Sequence, residues 1–266
     1  MHWLTRREIS WLVQPAIRAF VSRFNVNLAE AAAPEPGAYA SFNAFFTRAL
    51  RGDARPLPAA TNVLASPADG VLSNRGILDN DAMLQAKGRT YSVEALLGGA
   101  DHAKGFHGGT SATIYLSPRD YHRLHMPWQG QLESMVYIPG DLFAVNPRTV
   151  RAVDGLFARN ERVVAIFNSP AGRYALVLVG AIFVGSIETV WCGEVTPGSP
   201  RHLTVRAGSE FESPDFARGA EFARFNMGST IVMVFEPGMV DLGIDAPAAV
   251  PSAIRMGEPM GRVLRV

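Results

Sequence analysis

Arg162-Val163-Val164-Ala165-Ile166-Phe167, then Asn168-Ser169-Pro170-Ala171-Gly172-Arg173, then Tyr174-Ala175-Leu176-Val177-Leu178-Val179 is the stretch whose reading decides the fold. Two short apolar runs, rich in β-branched and aromatic residues, flank a Ser-Pro-Ala-Gly turn, which is the pattern of a β-hairpin. Before it, residues 132–138 end at Pro139-Gly140 and read as a strand. After it, residues 182–191 read as a continuation of the same sheet. Residues 113–116 and 231–235 are further strands, the second bounded by Pro237-Gly238. From about Val63 onward the pattern is β-rich, and strands do not alternate with helices, which argues against a doubly wound parallel sheet.

The N-terminal part follows a different period. Ile9, Leu12, Val13, Ile17, Phe20, Val21 and Phe24 recur at helical spacing, with Arg7, Gln14, Arg18 and Arg23 towards the other side. Residues 7–24 are therefore predicted to form an amphipathic helix, kinked or split at Pro15. Trp3 and Trp11 flank its apolar stripe. A basic, Trp-bearing helix of this kind suits a membrane interface, and it equally suits packing on its own domain. Residues 31–37 (Ala-Ala-Ala-Pro-Glu-Pro-Gly) read as a linker, and residues 41–50 as a second short helix closed by Pro56 and Pro58. The expectation is an α+β protein: N-terminal amphipathic helices over residues 1–60, on a mostly antiparallel β core over residues 61–266.

Composition excludes some function classes. The 266 residues carry a net charge of +1, so no global field points to nucleic acid. Hydrophobic content is 48%, enough for a large core, and charged residues make up 18%, below the usual value of about 25%. One cysteine, Cys192, rules out an intramolecular disulfide, and its surroundings suggest a core residue. No run approaches the roughly eighteen apolar residues of a membrane span. Arg6, Arg7, Glu8, Gln14 and Arg18 interrupt any signal-peptide core. A chain that is neither exported nor membrane-spanning is expected.

Three segments carry the chemistry: Ser66-Pro67-Ala68-Asp69-Gly70, Ser117-Pro118-Arg119-Asp120-Tyr121-His122-Arg123-Leu124-His125-Met126-Pro127, and Met227-Gly228-Ser229-Thr230. They hold the Asp, His and Ser of a nucleophilic triad, whose members a fold can gather from distant positions. Gly228 has no Cβ, which leaves the carbonyl before Ser229 open and its torsions free. With His125 as base and Asp69 orienting it, Ser229 Oγ could attack the Gly228 carbonyl carbon and replace the peptide bond by an ester. The spacing His122-x-x-His125 would put both imidazoles on one wall if the segment were helical. It also raises a metal reading, but His2, His102, His107 and His202 are scattered and Cys192 is isolated, so no metal is expected. Arg119, Asp120 and Arg123 suit either structural ion pairs or headgroup contacts. Ser229 lacks a Gly-x-Ser-x-Gly elbow, which disfavours a hydrolase acting on an external ester.

These segments, with Phe42-Asn43-Ala44-Phe45-Phe46, closely resemble the phosphatidylserine decarboxylase family in its bacterial, membrane-associated form. Met227 stands where many members have Leu, a volume-conserving change. The resemblance implies a zymogen that cleaves itself between Gly228 and Ser229, with Asp69, His125 and Ser229 as the charge relay. Ser229 would become a covalent pyruvoyl cofactor, which forms a Schiff base with the substrate amine and acts as an electron sink. It implies decarboxylation of phosphatidylserine to phosphatidylethanolamine and carbon dioxide, with His122 the candidate proton donor. The implied partners are phosphatidylserine in the bilayer, the membrane surface, the α and β fragments of the same chain, and a possible homodimer. The implied place is the cytoplasmic face of the inner membrane, as a peripheral protein. A processing-dead lipid-binding protein on the same scaffold is the alternative, and the presence of every triad member disfavours it.

Overall fold

A computed structural model describes residues 2–79, 82–86, 89–182, 186–195, 205–206, 213–244 and 250–265. His202 lies outside the described residues. The hairpin forms as Arg162–Ser169 against Gly172–Val179, in register from Arg162 opposite Val179 to Ser169 opposite Gly172. Gly172 takes φ +130 there, a region closed to most side chains. This hairpin belongs to a large antiparallel sheet whose successive strands are Gly130–Ile138, Arg162–Ser169, Gly172–Val179, Thr230–Phe235, Thr110–Tyr115, Gly70–Ile77 and Ser252–Ile254.

Thr230–Phe235 is the inner strand, paired on both sides and buried at every position. A strand covered on both faces needs no polar alternation, and Thr-Ile-Val-Met-Val-Phe has none beyond its first residue. Tyr174, Phe167 and Phe235 stack across this region, and Phe222 meets Phe167 edge-on.

A second sheet runs Gly193–Val195, Ile187–Thr189, Glu221–Phe225, Arg123–His125. The predicted continuation over residues 182–191 is thus corrected: Ile187–Thr189 joins this sheet, because Phe225, Arg224 and Ala223 are its register partners. Residues 183–185 lie outside the described residues. Cys192 sits in the exposed turn between Ile187–Thr189 and Gly193–Val195, not in the core. Its thiol meets Thr189 Oγ1 at 2.9 Å.

The N-terminal helices are α1 (His2–Thr5), α2 (Ser10–Phe24) and α3 (Phe42–Phe46). Pro15 lies inside α2 without splitting it. The helix ends at Asn25, which takes the left-handed conformation at φ 54. The predicted apolar face divides in two. Val13 and Ile17 are buried in a small cluster with Val26, Tyr39, Phe45 and Phe46, joined by Phe20, Val21 and Met227. Ile9, Leu12 and Phe24 are exposed, together with Trp3, Leu4 and Trp11. α3 is capped by Ser41, whose Oγ accepts from Ala44 N, and stops well short of residue 50. Tertiary pairing overrides helix propensity there, since Ala31 bridges Leu50 and Ala32 N donates to Ala49 O.

Candidate active site

The inner strand places Gly228 and Ser229 at its head. Thr230 faces Tyr115 on one side and Val179 on the other. One residue earlier, Ser229 O accepts from Leu116 N at 2.9 Å, and the Ser229 hydroxyl donates to Val179 O. Ser229 is fully buried. Gly228 is not in the left-handed region, and a Cβ there would meet His122 Nε2 at 3.5 Å and Leu116 O at 3.7 Å, both ordinary contacts. The torsional freedom expected of Gly228 is not used here.

The two histidines do not share a wall. Residues 117–120 form a turn in which the Asp120 carboxylate accepts from Ser117 N and Ser117 Oγ, each at 2.7 Å. Arg123–His125 follows as a strand, and Phe225 N donating to His122 O extends its pairing. In extended backbone, side chains an odd number of residues apart point to opposite faces. The helical option is therefore corrected, and its cause is the pairing with Glu221–Phe225.

His122 points towards Gly228. Its ring centre lies 4.1 Å from that of Phe46, and it is wholly buried. Nδ1 is 2.8 Å from Asp120 O. A carbonyl only accepts, so Nδ1 carries the proton and Nε2 keeps a bare lone pair. Nε2 has no partner among the described residues. Burial drives the pKa down to about 3, against the Asp120 carbonyl and with help from the Arg48 cation, so the ring is neutral.

His125 faces the other way. Its Nδ1 donates to Gly219 O at 2.8 Å, which leaves Nε2 to accept from Tyr121 Oη at 2.9 Å. Burial lowers its pKa as well. Asp69 is held by other groups: Oδ1 accepts from Arg55 Nε at 2.9 Å and Met256 N at 2.8 Å, and Oδ2 from Arg55 Nη2 at 2.5 Å. Arg55 also binds Glu30 at 2.8 Å, and the hydrogen bond to Asp69 raises its already high pKa further. The structure brings the Asp69 loop to His125 through the backbone, with His125 N donating to Pro67 O at 2.9 Å. Among the described residues no hydrogen bond joins Asp69, His125 and Ser229 to one another.

The turn separates two cavities. One, of about 310 Å³, is apolar and lined by Phe20, Phe24, Phe46, Leu116, Ala181, Met227 and Gly228. The other, of about 340 Å³, is polar and lined by Glu30, Arg48, Arg55, Asp69, Arg119 and Asp120. Sequence reasoning missed Arg48, Arg55, Tyr121 and Phe46. Arg48 is buried, and its Nη2 donates to Arg119 O at 3.1 Å, which holds the turn from below. Phe46 and Tyr121 lay inside quoted motifs, but no sequence signal assigned them a partner. Arg119 and Asp120 stay 3.8 Å apart, and Arg123 pairs with Glu221 at 3.0 Å, a structural ion pair. No cluster of metal-ligating side chains occurs among the described residues.

A hydrogen-bonded network reaches Asn226, two residues before Gly228, from the N-terminus. Asn226 Nδ2 donates to Ser186 Oγ at 2.8 Å, and Asn43 Nδ2 to Asn226 Oδ1 at 3.1 Å. Ser186 Oγ donates to Glu194, which Arg6 also binds at 2.5 Å.

The phosphatidylserine decarboxylase family model matches residues 42–262. A phosphatidylserine decarboxylase proenzyme of Nitrosococcus oceani is 48% identical over 268 residues, covering 99% of this chain and 86% of that protein. The proenzyme of Bordetella pertussis is 50% identical over 246 residues (92% and 82%), and that of Klebsiella pneumoniae strain 342 is 47% identical over 269 residues (97% and 83%). With the match running from the Phe-Asn-Ala-Phe-Phe helix to the last strand, through Asp69, both histidines and Gly228-Ser229, the chain belongs to the phosphatidylserine decarboxylase family.

Proposed function

We propose that this chain is the proenzyme of a phosphatidylserine decarboxylase that cleaves itself between Gly228 and Ser229. The observation that carries the reading is the buried, unpartnered His122 Nε2 aimed at Gly228, beside an apolar cavity. Ser229 Oγ attacks the Gly228 carbonyl carbon, and an ester replaces the peptide bond. Elimination then breaks the Ser229 Cβ–Oγ bond, and the released carboxylate stays on Gly228. Hydrolysis of the resulting dehydroalanine liberates ammonia and leaves a pyruvoyl group at position 229. The residues fit that group: a buried serine follows a glycine whose neighbours include an unsatisfied base. When formed, the group supplies the electron-accepting carbonyl that decarboxylation of an amino acid headgroup requires.

Asp69 and His125 act with Ser229 in cleavage. To do so the chain leaves the arrangement described above: His125 releases Tyr121, and the Ser229 hydroxyl releases Val179 O. The backbone link between His125 and the Asp69 loop supports this pairing. His122 provides the proton that replaces carbon dioxide, and the apolar cavity receives the acylglycerol part of the lipid. Exposed Trp3, Leu4, Ile9, Trp11, Leu12 and Phe24 support docking on the membrane as a peripheral protein. No helix among the described residues is long and apolar enough to cross a membrane.

Intact mass and a denaturing gel test the reading. The purified protein is expected as two chains, residues 1–228 and a 38-residue remainder (266 minus 228) blocked by the pyruvoyl group. A preparation that decarboxylates phosphatidylserine while holding only the 266-residue chain overturns it.

A further inference from the structure

A proton donor must carry its proton where it works, and His122 in the uncleaved chain does not. The groups facing the ring explain why. Phe46 lies tilted against it, the Asp120 carbonyl takes Nδ1–H, and the Asp120 carboxylate is tied to Ser117. The charged side chain that acts on the imidazole is the Arg48 cation, which opposes protonation.

Cleavage changes the charge at this point. This inference rests on the cleavage site proposed above. When the Ser229 Cβ–Oγ bond breaks, its electron pair leaves with the oxygen, and the Ser229 α-proton goes to a base. Gly228 then ends in a carboxylate, with one oxygen from its old carbonyl and one from Ser229. That group is bonded directly to the α-carbon on which a Cβ would stand 3.5 Å from His122 Nε2. Freed from Ser229, Gly228 is a chain end and can turn its carboxylate to the ring. We propose that the Gly228 α-carboxylate created by cleavage pairs with His122 and holds the imidazole protonated, so that self-cleavage arms the proton donor as well as forming the cofactor. An anion at hydrogen-bond distance favours the charged imidazole and offsets Arg48.

The test is a nitrogen-15 NMR titration of the histidine side chains in the cleaved protein and in uncleaved Ser229→Ala. In Ser229→Ala, His122 is expected to stay neutral throughout the range of about pH 5–8 in which histidines usually titrate. In the cleaved protein it is expected to be protonated at about pH 6 and below, an upward shift of its midpoint. Borohydride reduction of the pyruvoyl ketone should leave that midpoint in place, because the carboxylate is untouched. A midpoint that collapses on reduction assigns the effect to the ketone and overturns the inference. The His122 signal is assigned with His122→Gln or, if that variant does not fold, by single replacement of the other five histidines. Mass spectrometry separates the two failures. Cleavage elsewhere, or none, breaks the cleavage-site reading; cleavage at Gly228–Ser229 with His122 neutral at about pH 6 breaks this inference alone.

Discussion

The two sides of the turn at residues 117–122 are built in opposite ways. Towards Gly228, Phe20, Phe46, Leu116 and Met227 line an apolar cavity, and the His122 imidazole packed against Phe46 is kept uncharged by burial. Towards Asp69, the carboxylate sits in the Glu30–Arg55–Asp69 network, and Met256 N adds a third hydrogen bond to it. A buried charge is tolerated where it is paired and hydrogen-bonded, and a buried histidine without an anion is tolerated by losing its proton. The acid of the proposed triad is therefore stored in one medium, while the proposed cleavage site lies in the other. The difference teaches that Asp69, His125 and Ser229 are each folded into place but not joined to one another. On the proposed mechanism His125, bonded to Gly219 and Tyr121, changes partners before it serves Ser229.

Ser229→Ala removes the nucleophile and should abolish both sides' function at once. A denaturing gel should show one chain, with no decarboxylation. His125→Ala and His122→Ala then divide the sides. The first should leave the chain uncleaved; the second should cleave and lose about 10²–10⁴-fold in turnover, the usual value of a general acid. The opposite pattern on the gel would assign cleavage to the apolar side, where His122 is already the base nearest Gly228.

Arg55→Ala strips Asp69 of its buried partner, with the two side chains 6% and 11% exposed. Breaking such a pair costs about 3–5 kcal/mol, so urea midpoints should fall sharply. A small change would mean that Met256 N and solvent in the polar cleft suffice to hold the carboxylate.

The apolar side should be sensitive to acid. His122 in uncleaved Ser229→Ala has its pKa lowered to about 3, below the unfolded value of about 6.5. Its contribution is fully present above about pH 6.5 and is lost as pH falls towards 3, because the unfolded chain binds the proton that the folded chain refuses. Stability of Ser229→Ala should decline by a few kcal/mol over that window, and the added replacement His122→Gln should flatten the curve. A slope unchanged by that replacement would place the acid sensitivity elsewhere. The smallest effect concerns the exposed patch. Trp11→Ser, at a position 79% exposed, should weaken co-sedimentation with anionic vesicles several-fold and leave the unfolding midpoint within about 0.5 kcal/mol. Equal sedimentation would move the membrane contact off α2.

The Arg162–Val179 hairpin, the buried run of Thr230–Phe235 and the amphipathic period of α2 were legible, because each is a local pattern with one structural solution. The proposed site residues Asp69, His122, His125, Gly228 and Ser229 all lie within the span that the family model matches. What failed were statements about direction. The apolar face of α2 split into a packed half and an exposed half, since only Tyr39, Phe45 and Phe46 decide which half is covered. Cys192 left the core because its run turns into a hairpin.

Local sequence therefore determined the strand-rich core, the helical N-terminus and the set Asp69, His122, His125, Gly228 and Ser229. Their arrangement was decided by long-range pairing. Arg123–His125 lies beside Glu221–Phe225, roughly a hundred residues away in sequence, and that ladder makes the segment extended and sends the two imidazoles to opposite faces. Arg55 reaches Asp69, and Arg48 reaches the 117–122 turn, only after the N-terminal helices dock. Protonation follows from the same contacts: the His122 side chain is an ordinary imidazole, and its burial in the folded chain keeps it neutral.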